Sequence, residues 1–155
     1  MSTTTKGSEG ELPPEISSWL DLTRIGRCRV TSQDSRYPIE SIFEEDGVGW
    51  RAAERGKQAI GLFFDKPLRI RRVYLRFIER EAERTQMTSV EWSEDKVNAL
   101  QPLFERWHSF SPGGSTSLVV DYAADLEGVC VIQLVIDPNI TGKQAFASLA
   151  RLRFA

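Results

Sequence analysis

The chain has little of what enzymatic and metal chemistry usually require. It carries one histidine, His108, so neither a two-histidine zinc site nor a His-Glu-x-x-His helix can be built. Its two cysteines, Cys28 and Cys130, are too few for a disulfide framework and lack the close spacing of a metal site. No apolar run approaches the ~20 residues of a membrane-crossing helix, so no membrane partner is expected. No glycine fingerprint follows a strand, and Ser111 sits in a Pro-Gly-Gly loop without a nucleophile elbow. Neither sign of charge dominates: 20 Lys+Arg stand against 22 Asp+Glu, a net of −2. That balance argues against wholesale nucleic-acid binding and leaves room for a local basic patch. The opening residues, from Met1 to Ser8, hold no apolar stretch of the secretory type, and a cytoplasmic setting with both thiols reduced is expected.

What remains describes a folded β protein. A 155-residue chain with 41% hydrophobic and 27% charged residues fits one domain with a sizeable core. Residues 1–14, polar and closed by Pro13-Pro14, read as a mobile tail, and 15–155 as a single domain. Ile16, Trp19 and Leu20 permit a short helical turn within 15–22. Beyond it the helix signal fades. In 70–77, Val73, Leu75 and Phe77 alternate with Arg72, Tyr74 and Arg76, the period-2 mark of a half-buried strand. A strand over 59–64 precedes it, with Asp65-Lys66-Pro67 as the expected turn. Thr88, Val90 and Trp92 mark a further strand, and 117–122, 129–136 and 148–154 complete the series. The 129–136 run, interrupted only by Gln133, is nearly apolar on both faces, which suits a central strand. Many short strands with almost no crossover helices favour an antiparallel sandwich.

The order of these pieces resembles the galactose-binding-domain-like jelly roll of discoidin and coagulation-factor type C domains. Tyr37-Pro38-Ile39-Glu40-Ser41-Ile42-Phe43 followed by Asp46-Gly47 and Gly49-Trp50-Arg51-Ala52 is similar to the family's first ligand-side loop and tryptophan segment. The Lys66-Pro67 turn between two strands, Val90-Glu91-Trp92-Ser93-Glu94-Asp95, and the closing Ala147-Ser148-Leu149-Ala150-Arg151-Leu152 match further pieces. Arg84-Thr85-Gln86 and Phe110-Ser111-Pro112 resemble a bacterial branch associated with carbohydrate binding. The resemblance implies an all-β jelly-roll sandwich that binds ligands non-covalently through loops at one end. It also implies a structural calcium held by the first loop, where Glu44, Glu45 and Asp46 lie, together with a final-strand carboxylate. Arg151 stands where that carboxylate is expected, and a fixed positive charge opposes a divalent ion, so no cofactor is expected and calcium is disfavoured.

Three binding surfaces follow from the residues. A sugar site needs a flat aromatic for C–H faces and planar polar groups for hydroxyls. Trp50, Arg51 and Glu54, flanked by glycines, form one such set, and Arg84 and Gln86 join it if their loop lies at the same end. Trp50 has an alternative place in the core. The second surface is the basic stretch Lys66, Arg69, Arg71, Arg72 and Arg76, in which Arg72, Tyr74 and Arg76 could meet a polyanion such as nucleic acid. Cross-strand pairing with Glu79, Glu91 or Asp121 is its structural alternative. The third is the Val129, Val131 and Val135 face, which invites a protein partner or a second copy of the chain if nothing covers it. Glu79, Glu81 and Glu83, alternating with Arg80 and Arg84, read as a solvated charge ladder rather than as catalytic carboxylates.

Overall fold

A computed structural model describes residues 19–95, 100–142 and 144–155. The expected tail over 1–14 lies outside them, as does the first half, 15–18, of the expected helical turn. Its described end, 19–22, is not helical. The strands are β1 (Gly26–Val30), β2 (Trp50–Arg55), β3 (Gln58–Ile78), β4 (Arg84–Ser93), β5 (Gln101–Phe110), β6 (Ser117–Asp137), β7 (Phe146–Leu149) and β8 (Arg151–Phe154). A short 3-10 helix, Ile39–Phe43, lies between β1 and β2. All pairings are antiparallel. One sheet runs β1-β3-β6-β4-β5 with β8 also paired to β3, and β2 pairs β7 apart from it.

The sheet closes on itself because β3 and β6 each serve two layers. Residues 58–63 of β3 run between β1 and the 131–136 part of β6. Residues 73–76 run between β8 and the 119–122 part of β6. Phe154 pairs with Val73, so on a flat sheet it would lie about 30 Å from Phe64, nine residues along the strand. The two rings instead meet edge to face at 6.3 Å. The fold-over occurs where the β3–β6 register shifts, between Phe63 and Arg72, and where Gly128 takes φ 72°.

That corner corrects the expectation of a turn at Asp65-Lys66-Pro67. β3 continues through it, because proline's missing N–H is harmless where the ladder is already interrupted. By the same token 117–122 and 129–136 form one strand. The closing run is split instead: β7 pairs β2 and β8 pairs β3, with a bend at Ala150.

The core lies between the layers. Val73, Leu75 and Phe77 are buried as the alternation required, alongside Trp50, Phe64, Phe110, Leu134, Leu152 and Phe154. β6 is central, between β3 and β4. Val129 and Val131 are buried and Val135 half-buried, so the valine face is not the open patch that an uncovered strand would present. Both cysteines are free thiols, and burial, with Glu40 nearby, pushes Cys28 up to about 12.

Candidate functional site

Gly49 delivers the chain into β2. Its φ is 87°, and a Cβ there would approach the Leu149 carbonyl oxygen to 2.9 Å, so the entry requires glycine. The next residue, Trp50, is 1% exposed, and its Nε1 donates to the Ser32 carbonyl at 3.0 Å. It is a core residue and not a stacking platform: its indole occupies the strand face that pairs with Leu149, also buried. Arg51 takes the opposite face, directly across from Ser148 of β7. Residues 34–37 run alongside, with Asp34 N–H donating to the Arg51 carbonyl at 2.8 Å and Arg51 N–H to the Tyr37 carbonyl at 3.2 Å. Tyr37 is thereby set beside Arg51, whose guanidinium carbon lies 5.6 Å from the ring centre. Arg36 flanks the same ring at 5.7 Å and is held by Asp34 through Nε–Oδ1 (3.1 Å) and Nη2–Oδ2 (2.8 Å). Those bonds bring the Asp34 carboxyl down to about 2.

Tyr37, Val48, Arg51, Arg80 and Ser148 border a depression of about 190 Å³, with Trp50 and Leu149 in its floor. A second hollow adjoins it across Arg51, bordered by Arg55, Glu79, Glu81 and Phe146, with the Arg55 guanidinium 4.9 Å above the Phe146 ring. Among the described residues, Arg51 and Arg80 make no ion pair and no side-chain hydrogen bond. Glu54 is exposed and borders neither hollow.

Arg84 and Gln86 are not ligand contacts. They are 3% and 1% exposed and belong to a polar row on the inner face of β4. Arg84 Nε donates to Glu79 Oε1 at 2.9 Å, and its Nη1 donates to Gln86 Oε1 (2.8 Å) and the Pro138 carbonyl (2.9 Å). Gln86 Nε2 donates to Thr88 Oγ1 at 3.0 Å. A buried guanidinium persists only with such partners. Arg84 Nη2 has no hydrogen-bond acceptor, while the guanidinium carbon lies 5.1 Å from the Phe110 ring centre. Glu79 Oε2 accepts the N–H groups of Glu81 and Ala82, both at 3.0 Å. Burial pushes the Glu79 carboxyl up, but the Glu81 N–H, the Arg84 guanidinium and the Ala82 N–H together outweigh it and leave it below its ordinary value. Glu79 and Arg84 are thus a buried clasp rather than part of a solvated ladder, and the clasp holds the loop that carries Arg80.

The basic stretch is partly neutralised. Arg72 forms a two-bond pair with Asp121, one of the three acids offered as cross-strand partners, one bond being Nε–Oδ1 at 2.6 Å. Arg69 pairs with Asp125. Trp19 covers Arg72 and Tyr74, with its ring centre 5.4 Å from the guanidinium carbon and 5.7 Å from the tyrosine ring centre. Arg71 and Arg76 remain exposed.

Calcium does not fit the residues present. Arg151 Nη1 donates to the Glu44 carbonyl at 2.7 Å, and Arg153 Nη1 to the Ile42 carbonyl at 3.1 Å. First-loop carbonyls that a cation would need are therefore engaged by guanidinium groups. Glu44, Glu45 and Asp46 are exposed, and among the described residues no three His, Cys, Asp or Glu side chains converge as a metal set.

Sequence reasoning passed over β5 and, with it, Trp107. This indole is 58% exposed on the outer sheet face, across from Met87. The signal was present: Phe104, Arg106, His108 and Phe110 share one phase, so Trp107 falls on the polar phase with Glu105 and Ser109. His108 is half-buried, with Nε2 2.8 Å from Ser115 Oγ and its ring edge-on to Phe110.

No protein-family model matches the chain, and no curated protein does. Solved structures do. A pectin-binding carbohydrate-binding module aligns with a TM-score of 0.61 at 18% identity, over 84% of this chain and 90% of that one. The family 32 carbohydrate-binding module of C. perfringens NanJ, in complex with galactose, gives 0.59 at 12% identity, over 88% and 96%. A Ruminococcus gnavus fucosidase gives 0.66 at 11% identity, over 87% of this chain and 26% of the enzyme. The fold is therefore the galactose-binding-like jelly roll, the architecture of the family 32 carbohydrate-binding modules.

Proposed function

We propose that the chain is a non-catalytic carbohydrate-binding module whose sugar sits in the depression between Tyr37, Arg51, Arg80 and Ser148. The observation that carries this reading is the Arg51 guanidinium, set against an aromatic ring, opposite a hydroxyl, and with no ion pair or side-chain hydrogen bond among the described residues. A pyranose offers the complement: C–H groups for the exposed Val48, and hydroxyls for the Arg51 fork and Ser148. The hollow, smaller than the ~300–1,000 Å³ of drug-sized pockets, suits a single sugar ring. Modules of the same fold have been solved with galactose and with GalNAc-β-1,3-galactose, which supports the ligand class. A non-catalytic role is supported by Glu79, whose two oxygens are engaged by Arg84 and backbone N–H groups.

A glycan array with purified protein tests the reading. Arg51→Ala abolishes sugar binding while its melting temperature stays within a degree or two of the parent, because Arg51 packs outside the core. Binding retained in Arg51→Ala but lost in Trp107→Ala would move the site to the outer sheet face. Binding of nucleic acid in place of any glycan, lost in Arg71→Ala and Arg76→Ala, would instead favour the polyanion surface.

A further inference from the structure

The charge bordering the depression has one sign. Arg51 and Arg80 both face it, and no carboxylate lines it. The nearest acids are already committed: Asp34 holds Arg36 through two bonds, and Glu79 holds Arg84 and two backbone N–H groups. Glu79 and Glu81 border only the adjoining hollow, which they share with Arg55 and with the other side of Arg51. Elsewhere Arg36, Arg69, Arg72 and Arg84 are paired with acids, while Arg71 and Arg76 stand exposed on the outer strand face without an ion pair. Neither guanidinium at the depression forms an ion pair among the described residues, although Asp34 and Arg51 attract each other through space.

From this we infer that the ligand carries a carboxylate, as a uronic acid does, which pairs with Arg51 and Arg80. The inference rests on reading the depression as a sugar site and names the class of sugar. Two like charges beside apolar Val48, Ile78 and Leu149 become costlier when a bound ring displaces water from them. Hydroxyls of a neutral sugar would hydrogen-bond there and leave that charge in place. A carboxylate removes it and matches the planar guanidinium fork with two parallel hydrogen bonds. The protein also fixes where Arg80 stands: the Glu79–Arg84 clasp, with its two bonds to the loop backbone, ties down residues 79–82.

The test uses oligomers of galacturonate, glucuronate and mannuronate, each beside its carboxyl-reduced counterpart, with affinities measured at low and high salt. A charge-assisted hydrogen bond is worth about one to two powers of ten in affinity. At least one acid oligomer should bind tenfold or more tightly than its reduced form. That preference should shrink with salt and disappear in Arg51→Ala and in Arg80→Ala, and Arg51→Lys should restore only part of it. Arg76→Ala, outside the depression, should leave it unchanged. Equal binding of acid and reduced forms, lost in Arg51→Ala, would overturn the inference and leave the sugar site standing. Failure of every glycan, neutral or acidic, would sink both. An acid preference that survives Arg51→Ala and Arg80→Ala, or inorganic polyphosphate binding as tightly as the uronates, would overturn the carboxylate site.

Discussion

Replacing Trp50 by alanine removes a fully buried indole and its hydrogen bond to Ser32, a loss of about 3–5 kcal/mol in a packed core. Such a loss takes a large share of an ordinary domain's stability, so the Trp50→Ala melting temperature should fall by ten degrees or more, or the protein should fail to fold. Arg51→Ala, one residue away on the opposite strand face, should melt close to the parent. Thermal melts of the pair check this, and equal melting of both would place the indole outside the core. Cys28 gives a second single-residue test. Its thiol, pushed up to about 12 by burial, stays protonated at neutral pH and is a poor nucleophile. Thiol reagents at pH 8 should modify it far more slowly in the folded protein than after denaturation.

At the scale of an element, the loop from β3 to β4 depends on one carboxylate. Glu79 accepts from Arg84 and from two loop N–H groups, and its folded pKa lies below the ordinary 4.5. A carboxyl whose pKa is depressed on folding binds protons more weakly in the native state than in the unfolded one. Its stabilisation is therefore complete above about pH 4.5 and is lost as pH falls through the lower folded value. Glu79→Gln should be less stable than the parent at pH 7, and its melting temperature should decline less steeply below pH 4.5. Parallel pH–melting curves for the two proteins would contradict the clasp. Arg84→Ala leaves the carboxylate without its guanidinium partner in a mostly buried place, a loss of about 3–5 kcal/mol, and should be the more damaging change. The opposite strand phase has an equally direct test. Leu75→Asp puts an unpaired carboxylate between the layers and should unfold the domain, visible as lost ellipticity and no cooperative melt.

Across the whole molecule, the first loop is tied to the last strand by cationic side chains rather than by a metal. Arg151 reaches the Glu44 carbonyl and Arg153 the Ile42 carbonyl, closing contacts more than a hundred residues apart in sequence. A ligand that binds only the folded state raises its stability by mass action. Millimolar calcium or EDTA should therefore shift the melting temperature by no more than about a degree. Arg151→Ala should lower it without creating calcium dependence. A calcium-dependent rise of many degrees, lost in Asp46→Ala, would contradict this account.

Strand phases are legible in the order of residues, because side-chain direction alternates with every residue: Val73, Leu75 and Phe77 inward, Arg72, Tyr74 and Arg76 outward. The fold class is legible too, through short apolar runs without crossover helices, whereas Asp121 is only one of three acids the sequence offers as partners for the basic stretch. Which polar residues are buried depends on how the layers close. Arg84 and Gln86 look like any exposed pair until β5, Pro138 and the Glu79 loop close over them, and that closure brings together residues up to 54 positions apart. Trp50 and Trp107 show the same limit in opposite directions: the indole whose glycine-flanked setting suggests a sugar platform lies in the core, while the exposed one sits on β5, whose alternation gives only a weak strand signal. An aromatic ring serves a core and a ligand surface with the same chemistry. Which it does depends on whether another layer packs over it, and that layer comes from distant parts of the chain.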